Sequence, residues 1–138
     1  MFVIDGNNLI LGRVASQVAK KLLEGKEVHL INCENLAISG DANVIVERYL
    51  KRRRAQHKGT PEFSPVWPRT PILLVRRIIR GMLPWKKSRG KIAYKKLRVY
   101  TGNPKKLENS KILENAKIRQ SMRFLTINDL CKRLGYNG

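Results

Sequence analysis

The sequence predicts an α/β domain built on a parallel strand pair. Three observations carry that expectation. "FVID" (residues 2–5) and "VHLIN" (residues 28–32) are short apolar runs of strand length. Between them Val14, Ala15, Val18, Ala19, Leu22 and Leu23 recur at helical spacing and make one apolar face. Gly25 follows the last periodic residue, where a helix C-cap belongs. Strand, helix and strand within about thirty residues form a βαβ unit, whose two strands run parallel.

The remaining elements follow in chain order. "LAIS" (residues 36–39) reads as a third, short strand, and Asp41 as the N-cap of a helix over 42–55. That helix buries Ile45, Val46, Tyr49 and Leu50 and ends in a basic run. Residues 60–71 hold four prolines, each without an N–H, so they form an extended loop. Pro71 opens the next helix, "ILLVRRIIRGML", with Leu74, Val75, Ile78, Ile79 and Met82 on its buried face. Gly81 and Pro84 end it, and Met82 and Leu83 pin the break to the core. "SRGKIAYKKL" is a short helix, and "LRVYTG" (residues 97–102) a strand closing on a turn. Residues 103–117 are weakly patterned and read as a surface excursion. Thr126 and Asp129 pair at the start of a last helix, 127–134, with Gly135 as its cap.

The 138 residues suit one domain, and charge divides it. Residues 1–47 carry four basic and six acidic side chains, a net of −2. Residues 48–138 carry 25 basic and four acidic, a net of +21. A near-neutral base therefore presents a basic second half, whose self-repulsion a polyanion would relieve. No apolar run reaches the length of a membrane span, and the N-terminus has no basic region before an apolar stretch. Cys33 and Cys131 are far apart and make neither a zinc pattern nor a disulfide framework, so they read as free thiols in a reducing cytosol, and the protein is expected in the cytoplasm.

Catalytic patterns are weak. Gly6 and Gly12 flank the first strand-to-helix connection, but fit neither nucleotide-binding fingerprint. Gly12 reads as a site of close helix–strand packing. "IDGNN" is similar to the opening of a class of metal-dependent RNA nucleases, which would make Asp5 a ligand of Mg²⁺. Such a centre needs converging carboxylates, and the chain has only ten acids. Asp5 reads better as a turn hydrogen-bonder. His29 and His57 have no recognisable nucleophile beside them. No catalytic residue, metal or cofactor is expected.

The basic half points to RNA instead. Its charge is of one sign, and Arg, which grips phosphate bidentately, leads in "KRRR" and along the helix after Pro71. Arg52, Arg53, Arg54 and Lys58 flank the first basic helix end, and Arg69 lies in the Pro-rich loop. Arg76, Arg77 and Arg80 share one helix face, and Lys87, Lys91 and Lys95 form a stripe four apart. Phe63, Trp67, Trp85 and Tyr94 are interleaved with these charges, where planar groups could stack on bases.

Three stretches resemble a known family. "GRVASQVAKKLLEGKEVHLINCENLAISGD" is similar to the N-terminal half of the universal ribosomal protein thirteen of the large subunit. "RGMLPWKKSRGKIAYKKLRVYTGNP" resembles that family's signature, and "RFLTINDLCKRLGY" its ending in the archaeal and eukaryotic branch. The short ending favours the archaeal type. The resemblance implies a three-layer α/β/α domain with a small, mainly parallel four-stranded sheet. It implies a non-enzymatic protein that binds large-subunit rRNA early in subunit assembly, beside neighbouring ribosomal proteins. Its contacts carry over to Arg80, Gly81, Met82, Leu83 and Pro84, and to Lys86, Lys87, Arg89, Lys91, Lys95 and Lys96. Gly81 is expected where the backbone approaches RNA closely.

Overall fold

The computed structural model describes all 138 residues. The expected βαβ unit is β1 (Phe2–Asp5), α1 (Leu11–Leu23) and β2 (Val28–Ile31). β1 pairs with β2 in parallel, Ile4 opposite Leu30. Side chains alternate along a strand, so Phe2, Ile4, Val28 and Leu30 share one face. Ile4, Val28 and Leu30 join Val14, Ala15 and Val18 of α1 in the main core. α1 ends as its sequence requires. Gly25 has φ +89, and the N–H groups of Gly25 and Lys26 return to the carbonyls of Leu22 and Lys21 at 3.0 and 3.2 Å. That left-handed turn favours a residue without Cβ.

The sequence continues through β3 (Ala37–Ser39) into α2 (Ala42–Arg54). Asp41 caps α2 by accepting from the Asn43 N–H at 2.9 Å. Ile45 and Tyr49 are buried, whereas Val46 and Leu50 are half-buried at the rim. α3 (Pro71–Gly81) has Pro71 in its first turn and buries Leu74, Val75 and Ile79 beside α1. α4 (Ser88–Lys95) leads into β4 (Leu97–Val99), which adds to β2 in parallel. β5 (Phe124–Thr126) precedes α5 (Ile127–Arg133). The Thr126 hydroxyl accepts from the Asp129 N–H at 3.3 Å, and Gly135 at φ +101 ends the helix.

The parallel sheet has three strands, in the order β1-β2-β4. Its fourth lane is a single parallel bridge between Ile4 and Lys111. The Lys111 N–H donates to the Val3 carbonyl at 2.9 Å. Residues 103–117 are therefore more than a surface excursion. They cover the open edge of β1, where unpaired backbone would otherwise invite another strand. The Ile10 N–H donates to the Ala116 carbonyl at 2.7 Å, and Ala116 is buried. Backbone pairing makes these contacts, so no side-chain period marks them. β3 does not join the parallel sheet. It pairs antiparallel with β5, Ile38 opposite Leu125. Three residues between polar stretches gave β5 no sequence signal.

The break after α3 differs from expectation in two places. Leu83 is buried, but Met82 is 43% exposed and does not anchor the turn. Met82 is the C-cap residue, and the chain swings its side chain outward there. The close packing lies at Gly90. A Cβ at Gly90 would collide with the Pro84 carbonyl, whose carbon is 2.6 Å from that position. Gly81 has nothing within 4 Å of its missing Cβ. Near β1 the same exchange occurs. Gly12 faces open space, while a Cβ at Gly6 would lie 2.8 Å from the Asn32 carbonyl oxygen. Gly6, not Gly12, allows the close approach.

Cys33 and Cys131 are both buried free thiols. Burial, reinforced by Glu34, pushes the Cys33 thiol up to about 12. Burial alone pushes Cys131 up to about 11.

Three outcomes are expected. Gly90→Ala should destabilise the free protein by about 1–3 kcal/mol through overpacking. Gly81→Ala should stabilise it by about 0.4–1 kcal/mol, because the helix gains a better former in open space. Paired thermal melts check the opposite signs. Neither cysteine should react with iodoacetamide at pH 8 in the native protein, and both should react in denaturant, as mass spectrometry would read.

Candidate nucleic-acid interface

α3 sets the site. Its buried stripe faces α1, so Arg76, Arg77 and Arg80 emerge between two irregular segments: residues 60–71 on one side and the turn into α4 on the other. Each guanidinium lies over an aromatic ring. Arg77 sits 4.2 Å from the Trp67 ring centre and Arg52, from the end of α2, lies 4.8 Å from the same ring. Arg76 lies 5.1 Å from Tyr94, and Arg80 5.1 Å from Trp85. The rings brace one another edge to face, Trp67 against Tyr49 and Trp85 against Tyr94. Three of the four aromatics that could stack on bases are thus engaged with arginines. Only Phe63 remains free, 72% exposed.

Backbone hydrogen bonds complete the frame. Arg53 and Arg77 donate to the carbonyls of Trp67 and Val66, each at 2.5 Å. Burial, with Arg80 and Arg52 close by, pulls the Arg77 guanidinium below its usual value. Arg54 and Lys58 project from the end of α2 and the start of the loop. Arg69 leans towards the turn at Gly135.

Beyond the break, Lys86, Lys87, Lys91 and Lys95 are exposed, and the last three follow the expected stripe on α4. Arg76, Trp85, Lys91, Tyr94, Lys95 and Arg98 line an open cleft of ≈ 570 Å³. Two of the expected contact residues also tie the fold together. Lys96 is half-buried and donates to the Gly25 carbonyl at 2.8 Å. Arg89 donates to the Leu23 carbonyl at 3.3 Å. Both satisfy free carbonyls at the C-terminal end of α1, where positive charge suits the helix dipole. Sequence reading missed this because the two ends meet only in the fold. Arg98, absent from the expected set, joins the cleft and donates to the Lys95 carbonyl at 3.0 Å.

The electrostatics are one-sided. The ion pairs of the chain involve Lys21, Lys26, His29, Lys51, Lys117 and Arg123. None includes a basic residue of this surface. Acids are not gathered elsewhere into a reactive centre either. Asp5 accepts from the Asn7 N–H at 3.0 Å and from Asn32 Nδ2 at 2.9 Å, as a turn-forming carboxylate does. No three His, Cys, Asp or Glu side chains group closely enough to hold a metal ion. His29 is buried against Tyr100, and His57 meets Ser64 only through its backbone N–H.

Comparison with known proteins shows the family. The family profile described as Ribosomal protein L13 matches residues 1–106. The large ribosomal subunit protein uL13 of Methanopyrus kandleri is 40% identical, over 97% of this chain and 86% of its own length. Its counterpart from Methanococcoides burtonii is 42% identical over 98% of both chains. That of Archaeoglobus fulgidus is 38% identical over 99% of this chain and 88% of its own. These relatives are archaeal, the type that the resemblance implies. The match runs through βαβ unit, α3 and the basic turn alike, and the chain belongs to the Ribosomal protein L13 family.

Proposed function

We propose that this chain is a structural, non-catalytic protein of the large ribosomal subunit that binds large-subunit rRNA and enters the particle early in its assembly. One observation carries the reading. The arginines and lysines around α3 have no acidic partner, yet rings and carbonyls hold several of them in place. Uncompensated charge fixed in position suits a polyanion of defined shape. Phosphate contacts position such a protein without reading sequence, so selectivity would come from the RNA's shape. The proposed contact set is Arg52, Arg54, Lys58, Arg69, Arg76, Arg77 and Arg80, with the lysines of the α4 stripe. Arg53, Arg89 and Lys96 contribute mainly by holding the frame. No helix is long and apolar enough to cross a membrane. The chain would work in the cytoplasm, beside neighbouring ribosomal proteins.

The direct test is co-sedimentation with large subunits at moderate salt. Replacing Arg76, Arg77 and Arg80 together by Gln should weaken rRNA binding by about 1–3 kcal/mol per lost charge-assisted contact. Replacing Arg13, Lys20 and Lys21 should matter much less. The triple variant should also melt lower, since three guanidinium–ring contacts of about 0.5–2 kcal/mol each disappear. Parent binding should fall linearly on a log–log salt plot, and the triple variant should show a shallower slope. Equal losses from both triples in filter binding would refute this map.

Gly81 gives a separate check. The protein leaves open space at its Cβ. Gly81→Ala should therefore melt at or above the parent, yet enter reconstituted subunits poorly if RNA occupies that space. Normal incorporation would show that RNA does not approach there.

A further inference from the structure

Phe63 is the aromatic that the arginine frame leaves over. It ends a short turn, Pro61–Phe63, at the tip of the Pro-rich loop. An exposed ring alone means little. This one is held in place. The Phe63 N–H donates to the Thr60 carbonyl at 3.0 Å, and the Ser64 N–H to that of Pro61 at 3.2 Å. The Ser64 hydroxyl accepts from the His57 N–H at 2.9 Å. Behind the tip, Arg77 and Arg53 grip the carbonyls of Val66 and Trp67. Four prolines remove further freedom. The loop is thus stiff, and an apolar ring stands at its end in water.

We infer that Phe63 is a stacking platform for one unpaired nucleobase of the bound RNA. This rests on the RNA-binding reading above. The charge around the tip selects the occupant. Arg52, Arg54 and Lys58 lie at its base without acidic partners, which attracts phosphates to the flanks. At the tip itself sits Glu62, the one acid of the loop, exposed and without a cation. A carboxylate at the tip repels phosphate and accepts from the amino edge of a base. A base, not backbone, therefore meets the tip, and cytosine, adenine and guanine fit its acceptor better than uracil. A fixed ring loses little freedom on binding, so most of the stacking energy appears as affinity.

The test uses the full-length protein and large-subunit rRNA in filter binding, with Phe63→Ala, Phe63→Leu and Phe63→Trp. The Ala variant should bind roughly 5- to 150-fold more weakly, the range for loss of one base stack. Its salt slope should match the parent's, because no phosphate contact is lost. Leu should not restore binding, and Trp should. All three should melt like the parent, since the ring lies outside the core. In intact large subunits, a photoreactive benzophenone residue at position 63 should crosslink to rRNA. If the parent binds rRNA and the Ala variant binds equally, the platform is refuted and the RNA reading stands. Rescue by Leu, or a crosslink to a neighbouring protein, would equally overturn it in favour of an apolar protein contact. A parent that does not bind rRNA would overturn both.

Discussion

Guanidinium groups standing on aromatic rings hold the irregular half of this chain together. α3 supplies three of them, Arg76, Arg77 and Arg80, and the end of α2 supplies Arg52. Without them, residues 60–71 and the turn after α3 would have little to rest on, since prolines deny the loop a ladder and few of its side chains are buried. Arginine suits this role better than lysine. Its flat, weakly hydrated head lies on a ring with one surface and keeps outward N–H groups for another partner. The same contact that packs the loop therefore aims the charge.

That arrangement also meets a problem of self-repulsion. The second half of the chain carries a net +21, and burial, with Arg80 and Arg52 close by, disfavours the protonated form of Arg77. Ring faces, with their negative potential, offset part of that cost where no acid is present. An acid would offset more, but would also occupy the groups that a phosphate needs. Stability instead comes from a core that ignores the division of charge. Leu74, Val75 and Ile79 of α3 and Leu97 and Val99 of β4 pack in one cluster with α1 and β2. The near-neutral base and the basic half differ in surface, and share an interior.

Two close approaches set the shape of the site. Gly6 lets the end of β1 lie against the Asn32 and Ile31 carbonyls, and Gly90 lets α4 fold onto Pro84. The second brings Tyr94 and Trp85 together beneath Arg76 and Arg80. Lys96 and Arg89 then tie the same segment to the end of α1. A turn that reads as a mere helix stop is in fact a packed joint.

Much of the fold was legible in the residues themselves. The α1 stripe with Gly25, the Asp41 cap, Pro71 at the start of α3 and the Thr126–Asp129 pair are local signals, because helix period and cap chemistry act within a few residues. The basic surface was legible too, since charge of one sign can be counted. What each charge does was decided only by tertiary structure. Lys96 and Lys95 are neighbours in sequence, yet one is half-buried on a carbonyl and the other is exposed. Trp67 and Phe63 sit in the same loop, yet two arginines lie over the ring of one and the other faces water. Gly81 and Gly90 look alike in sequence, and only the second meets another backbone. β5 and the Lys111 bridge also escaped, because they depend on pairing between distant backbones. Period, caps and charge are properties of a short stretch of chain, whereas a partner for a side chain or a strand edge exists only after segments far apart in sequence have come together.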